Sequence, residues 1–223
     1  MAATDCDGAS DTGLSDEELV DQVLTFFVAG TEPTASTVAF AARLLSGHGE
    51  TERALHEEAD RVLAGDAVAA EHLPRLDVAR RVVAETLRLY PPGWLFTRAV
   101  VGDADLGGVR LPAGTTLAYS PYLIHRRPDL YDEPDRFDPQ RWRGAPPERD
   151  AYLPFGSGAR KCVGERFALT EAVLVLAAIA ARWRLVPLPG RPPARTTTLT
   201  TTLSPTGLRM RLVARHPARR AIS

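Results

Sequence analysis

Residues 155–164 read Phe-Gly-Ser-Gly-Ala-Arg-Lys-Cys-Val-Gly, a glycine-rich loop that delivers a lone cysteine to the start of an apolar helical stretch. Glycine lets a backbone turn tightly and come close to whatever it surrounds. A helix start carries unpaired N–H groups and the positive end of the helix dipole, and both favour a thiolate. Arg160 and Lys161 add positive charge beside Cys162. An unpaired cysteine is more often a small buried apolar residue, so these surroundings are what single Cys162 out.

The other cysteine, Cys6, sits in a leader rich in Gly, Ser and Asp. Two cysteines in 223 residues do not make a disulfide scaffold. No second Cys or His stands near Cys162 at zinc-ligand spacing, which disfavours a four-ligand metal site. A lone thiolate suits an iron already held by a macrocycle. On the residues alone, that reading and a redox thiol are evenly matched.

Residues 1–13 read as a disordered leader. Ser15 is a good N-cap, with Glu18 completing a capping box. Apolar residues then recur from Leu19 to Leu45 as one long helix ending near Gly47, interrupted by Ala29-Gly30-Thr31-Glu32-Pro33-Thr34. Glycine and proline three apart should bend the helix at a cost of a few kcal/mol, as happens where something must fit. Further helices are expected over 50–63 and 76–90, the latter stopped by Pro91 and Pro92. Strand-like pieces follow at 95–101, 108–111 and 115–119. Residues 125–147 read as a long aperiodic loop, with His125 and Trp142 as packing residues. A final helix covers 164–183, and a Thr-rich hairpin covers 196–214, turning at Ser204-Pro205-Thr206-Gly207. The expectation is a mainly α fold with small β-sheets (α+β), one domain over 14–215, and a basic tail over 216–223.

Hydrophobic residues make up 44% of the chain, enough for one sizeable core, and the formal net charge is -1. That balance gives no basis for nucleic acid or an anionic surface as partner. The longest apolar run, 172–181, is too short to span a bilayer, and Met1 is not followed by a signal-peptide pattern. A soluble, cytoplasmic protein is expected.

The 155–164 loop resembles the cytochrome P450 haem-ligand signature F-x-x-G-x-x-x-C-x-G at every fixed position, with Phe155, Gly158, Cys162 and Gly164 in place. The resemblance implies haem (iron protoporphyrin IX), with Cys162 as its axial ligand and sole metal ligand. The N–H groups of Val163 and Gly164 would temper the sulfur, and Arg160 and Arg98 would pair with propionates. Glu85 and Arg88 resemble the family's E-x-x-R, with Arg141 completing a buried structural triad. The segment holding Gly30 resembles the distal A-G-x-[D/E]-T-T. It implies an O2 groove at Gly30, proton delivery through Glu32, and a first Thr that Pro33 replaces here. Thr34 stands one position late, turned by about 100° on a helix. Peroxide-using members also carry Pro there, but after an Arg, where this chain has Glu32.

The resemblance spans about 14–215 and only the C-terminal half of a complete member. It implies a monooxygenase that inserts one O atom from O2 into an apolar organic substrate. Electrons would come from a ferredoxin or flavoprotein docking near Arg160, Lys161 and Arg166. Two alternatives stand beside it. One is a peroxide-driven or non-oxidative haem-thiolate enzyme. The other is an inactive remnant, or the C-terminal subunit of a split enzyme, missing an N-terminal half. In its absence the long helix should expose apolar surface around Phe26, Phe27, Val28 and Phe40.

Overall fold

Ser15 opens the first helix as its sequence dictates: its side chain accepts from Glu18 N, and Glu18 Oε2 accepts from Ser15 N at 2.9 Å. This capping box starts α1 (Asp16–Leu45), a helix of 30 residues. The computed structural model describes residues 14–144, 147–148, 150–190, 195–196 and 202–215. The expected leader over 1–13 and basic tail over 216–223 lie outside them.

Pro33 does not break α1. It withholds an N–H only from the carbonyl of Ala29, a residue exposed to water. Threonines around it turn their hydroxyls back onto the helix: Thr31 to Phe27 O at 2.7 Å, Thr34 to Gly30 O at 3.2 Å, and Thr37 to Pro33 O at 2.9 Å. Residues 16–32 are exposed throughout, whereas burial begins at Thr34. Phe26, Phe27 and Val28 therefore face solvent, as expected. Phe40 does not. It is fully buried and stacks on Tyr90 with ring centroids 4.3 Å apart, because the helix has by then run into the core beside α3.

After α1 come α2 (Gly49–Leu63), a 3-10 turn (Ala70–Arg75) and α3 (Asp77–Leu89). The residue before α3 is Leu76, which cannot cap it. Glu58 of α2 does so instead: its two carboxylate oxygens accept from Val78 N at 2.7 Å and Ala79 N at 2.9 Å. A buried carboxylate at a helix N-terminus satisfies orphan donors and complements the dipole.

The strands are β1 (Phe96–Ala99), β2 (Ala104–Leu106), β3 (Val109–Leu111) and β4 (Thr116–Tyr119). Then follow α4 (Pro121–Ile124), a 3-10 turn (Pro139–Trp142) and α5 (Glu165–Arg182). The last strands among the described residues are β5 (Trp183–Pro187), β6 (Arg195–Thr196), β7 (Ser204–Pro205) and β8 (Met210–Ala214). They pair antiparallel as four two-stranded sheets: β1 with β4, β2 with β3, β5 with β8, and β6 with β7. The expected hairpin over 196–214 is thus corrected. β8, beyond the turn, pairs with β5 over five residues, a longer ladder than the two residues of β7 could supply. Residues 197–201 of that stretch lie outside the described residues.

The inner half of α1, with α2, α3 and α5, forms the core around Phe40, Leu55, Leu76, Val82, Val83 and Leu176. The fold is mainly α with small β-sheets. Among the described residues, no helix is long and apolar enough to cross a membrane.

Candidate functional site

Glu85 and Arg88 lie one helical turn apart on α3, and both are fully buried. Two buried charges are tolerable only if paired and fully hydrogen-bonded. The carboxylate of Glu85 accepts from Arg88 Nε and Nη2, both at 2.8 Å, and from Asp138 N at 3.0 Å. It also accepts from Arg141 Nε at 3.1 Å and Trp142 Nε1 at 2.8 Å. Arg88 directs its remaining donors to the carbonyls of His125, Pro134 and Arg136 at 2.8, 2.6 and 3.0 Å. All five guanidinium donors are thereby used. The segment from 125 to 142, aperiodic in sequence, is ordered around this pair.

His125 and Trp142 are thus more than packing residues. Trp142 joins the carboxylate directly, and His125 carries the network onward. The Nδ1 of His125 lies 3.0 Å from Arg88 O, and its Nε2 accepts from Leu153 N at 2.8 Å. A carbonyl on one side and an N–H on the other fix the tautomer: Nδ1 donates and Nε2 accepts. Burial pushes the pKa of His125 down to about 4, with Arg88 and Arg126 adding to the effect and the bond to Arg88 O opposing it.

Leu153 begins the loop that carries Cys162. Leu153 O accepts from Gly156 N at 3.1 Å, and Phe155 O accepts from Cys162 N at 3.0 Å. Gly156 and Gly158 have φ of 72° and 73°, a left-handed backbone that suits glycine. Cys162 is exposed two residues before Gly164, the N-cap of α5. Lys161 pairs with Glu165 at 2.5 Å, so part of the positive charge beside the thiol is balanced. Val163, which follows Cys162, and Phe167, in the first turn of α5, are 86% and 68% exposed.

The other candidates are distributed as follows. Phe155 is partly buried against the core, and Gly158 and Arg160 are exposed. Arg98 sits on β1 opposite Leu117, half-buried. Its Nη1 donates to Thr97 O at 2.8 Å, and its guanidinium lies 5.9 Å from the Tyr119 ring. Gly30 and Thr34 line a groove of about 720 Å³ between α1 and α5, together with Phe27, Phe167, Glu171 and Val175. Glu32 is not in its lining, since two positions on a helix turn a side chain through about 200°. The structure therefore brings Gly30 and Thr34 onto one face and Glu32 onto another. None of Cys162, Arg98, Arg160 and Phe155 lines that groove.

This donor set suits haem. Among the described residues, no cluster of His, Cys, Asp and Glu could hold a bare metal ion, whereas haem iron needs only an axial thiolate from the protein. Cys162 is exposed for that contact, and Arg98 and Arg160 are cations of the kind propionates pair with.

A family model described as Cytochrome P450 matches residues 1–210. The chain is 50% identical over 181 residues to cyclooctat-9-en-7-ol 5-monooxygenase of Streptomyces melanosporofaciens, covering 80% of this chain and 39% of that protein. It is 45% identical over 220 residues to pentalenene oxygenase of Streptomyces avermitilis, covering 97% and 48%. The crystal structure of the cytochrome P450DA heme domain superposes with a TM-score of 0.85 at 34% identity, covering 93% of this chain and 47% of that one. The chain spans half or less of the length of these relatives. From the signature loop, the buried Glu85–Arg88–Arg141 triad and these matches, it follows that the chain belongs to the cytochrome P450 family.

Proposed function

We propose that this chain is the haem-binding part of a haem-thiolate monooxygenase that inserts one atom of O2 into an apolar organic substrate. The observation that carries the reading is Cys162, exposed just before α5 with its own N–H held by Phe155 O. Relatives named as a monooxygenase and an oxygenase support the reaction class. Their names, which denote an unsaturated alcohol and an alkene, favour a largely hydrocarbon substrate.

Haem held here would supply the redox chemistry of oxygen activation. The chain's own residues have separable tasks. Cys162 ligates the iron as thiolate, with the N–H groups of Val163 and Gly164 tempering the sulfur. Arg98 and Arg160 pair with the propionates. Proton delivery would run through water and Glu32, because Pro33 has no hydroxyl and that of Thr34 is bonded to Gly30 O. A ferredoxin or flavoprotein supplies electrons. Since Lys161 is paired with Glu165, Arg160 and Arg166 are the cations that meet an acidic donor. The protein works in the cytoplasm.

Two observations favour other readings. Pro33 in the distal segment fits a peroxide-driven or non-oxidative enzyme. The exposed apolar residues at the start of α1, in a chain that spans about half the length of its relatives, fit a haem site completed only by further protein covering that face.

The test is the ferrous–carbonyl difference spectrum of the haem-reconstituted chain. A long-wavelength Soret band that disappears in Cys162→Ala supports thiolate ligation by this chain alone. No haem uptake, or only a short-wavelength band, means that these residues do not hold haem without further protein. Turnover with peroxide but not with a reductase favours the peroxide-driven one.

A further inference from the structure

We propose that His125 is the residue that positions the Cys162 loop against α3, through the hydrogen bond its Nε2 accepts from Leu153 N. This rests on the reading of Cys162 as the thiolate ligand, but the contact itself belongs to the protein alone. The ring is fully buried and bonded at both ends, to Arg88 O at 3.0 Å and Leu153 N at 2.8 Å. Arg88 returns the contact, with Nη1 donating to His125 O at 2.8 Å. His125 is therefore anchored twice, by its ring and by its own carbonyl, to a residue that the Glu85 carboxylate already immobilises.

From Leu153 the path to the sulfur is short. Leu153 O holds Gly156 N, and Phe155, between them, holds Cys162 N through its carbonyl. Tyr152 adds a second tie one residue earlier, stacking on His125 at 5.4 Å and donating its hydroxyl to Ala84 O at 3.1 Å. The buried charge network on α3 thus reaches the cysteine loop by hydrogen bond through the His125 imidazole, beside the ring contact of Trp142 with Tyr152 at 4.6 Å. His125 touches no reacting atom. It is a positioning residue.

Two variants separate the two ends of the ring. In His125→Asn the amide nitrogen falls where Nδ1 was and can still donate to Arg88 O, but the side chain is too short to reach Leu153 N. In His125→Gln the amide oxygen falls near Nε2 and can still accept from Leu153 N. The measurements are hydrogen exchange of the Leu153 amide and the reaction rate of Cys162 with an aromatic disulfide, both on the full chain without haem. The ferrous–carbonyl band of the reconstituted chain is the third. The expected result is exchange at Leu153 faster by roughly tenfold or more in His125→Asn. A changed Cys162 rate and a Soret band moved towards short wavelength should accompany it, with all three restored in His125→Gln. Equal Leu153 exchange in the two variants, whether protected or not, overturns the assignment. A wild-type chain without the long-wavelength band would instead mean that this chain alone does not hold haem through a thiolate, and the exchange and thiol measurements would still decide the role of His125.

Discussion

The indole N–H of Trp142 reaches Glu85 Oε2 at 2.8 Å, on a carboxylate that Arg88 and Arg141 also contact. A neutral side chain thereby joins a site whose other side chains are charged. The carboxylate belongs to α3, whereas Trp142 and Arg141 arrive 57 and 56 residues later.

Removing different members of this group should have graded effects. Trp142→Phe leaves the ion pairs in place and loses one buried bond, an expected cost of about 1–3 kcal/mol. Glu85→Gln strands the buried Arg88 guanidinium and should cost about 3–5 kcal/mol. Urea unfolding of the two variants checks the order, and equal losses would contradict it.

Glu58 is the cap that α3 lacks in its own sequence. Glu58→Ala should destabilise the protein by about 1–3 kcal/mol by leaving two helix N–H groups without an acceptor. Glu58→Gln, which keeps one acceptor oxygen, should lose less. Amide exchange at Val78 and Ala79 is the local readout, and unchanged protection in Glu58→Ala would show that other acceptors replace the carboxylate.

The buried imidazole makes stability depend on pH in a defined direction. His125 has its folded pKa lowered to about 4, against about 6.5 for an unperturbed histidine. Between those values the unfolded chain takes up a proton that the native one refuses. Stability should therefore fall as pH drops through this window, by up to about 3 kcal/mol from this residue. The groups facing the ring are Arg88 on α3, Arg126 beside it and the stacked Tyr152. Guanidinium groups do not titrate in this window, and burial raises the pKa of Tyr152 well above its ordinary value. Comparing unfolding at pH 7 and pH 4.5 in the native chain and in His125→Gln isolates the contribution. An unchanged pH dependence in the variant would remove it.

Pro33→Thr restores the missing helix donor to Ala29 O. It should raise stability by about 1–3 kcal/mol, the usual cost of proline inside a helix. Thermal unfolding measures the change. No gain would mean that water already satisfies the exposed carbonyl.

What could be read in the sequence was mostly local. The capping box at Ser15 and Glu18 and the placing of Cys162 ahead of a helix follow from spacings within one turn or loop. Glu85 and Arg88 face each other for the same reason. Arg141 could be matched to them only through the family resemblance. The roles of Trp142, His125 and Glu58 were not legible, because each is fixed by a partner 57, 28 or 20 positions away with no periodic pattern between them. A tryptophan and a histidine in a Pro- and Asp-rich stretch were the available signal, since both need polar partners once buried. Phe40 was misread with Phe26 and Phe27 because apolar periodicity says which face of a helix is greasy, not where along it the neighbours stop.

The outer part of α1, about 25 Å of helix over residues 16–32, is a cantilever. It is clamped where Thr34 enters the core, and at its root Pro33 leaves the carbonyl of Ala29 without its helix bond. A sideways load on the free arm is taken up there, next to Gly30, Glu32 and Thr34. A contact that moves Phe26 and Phe27 therefore bears on the geometry of that segment, with which they share a groove.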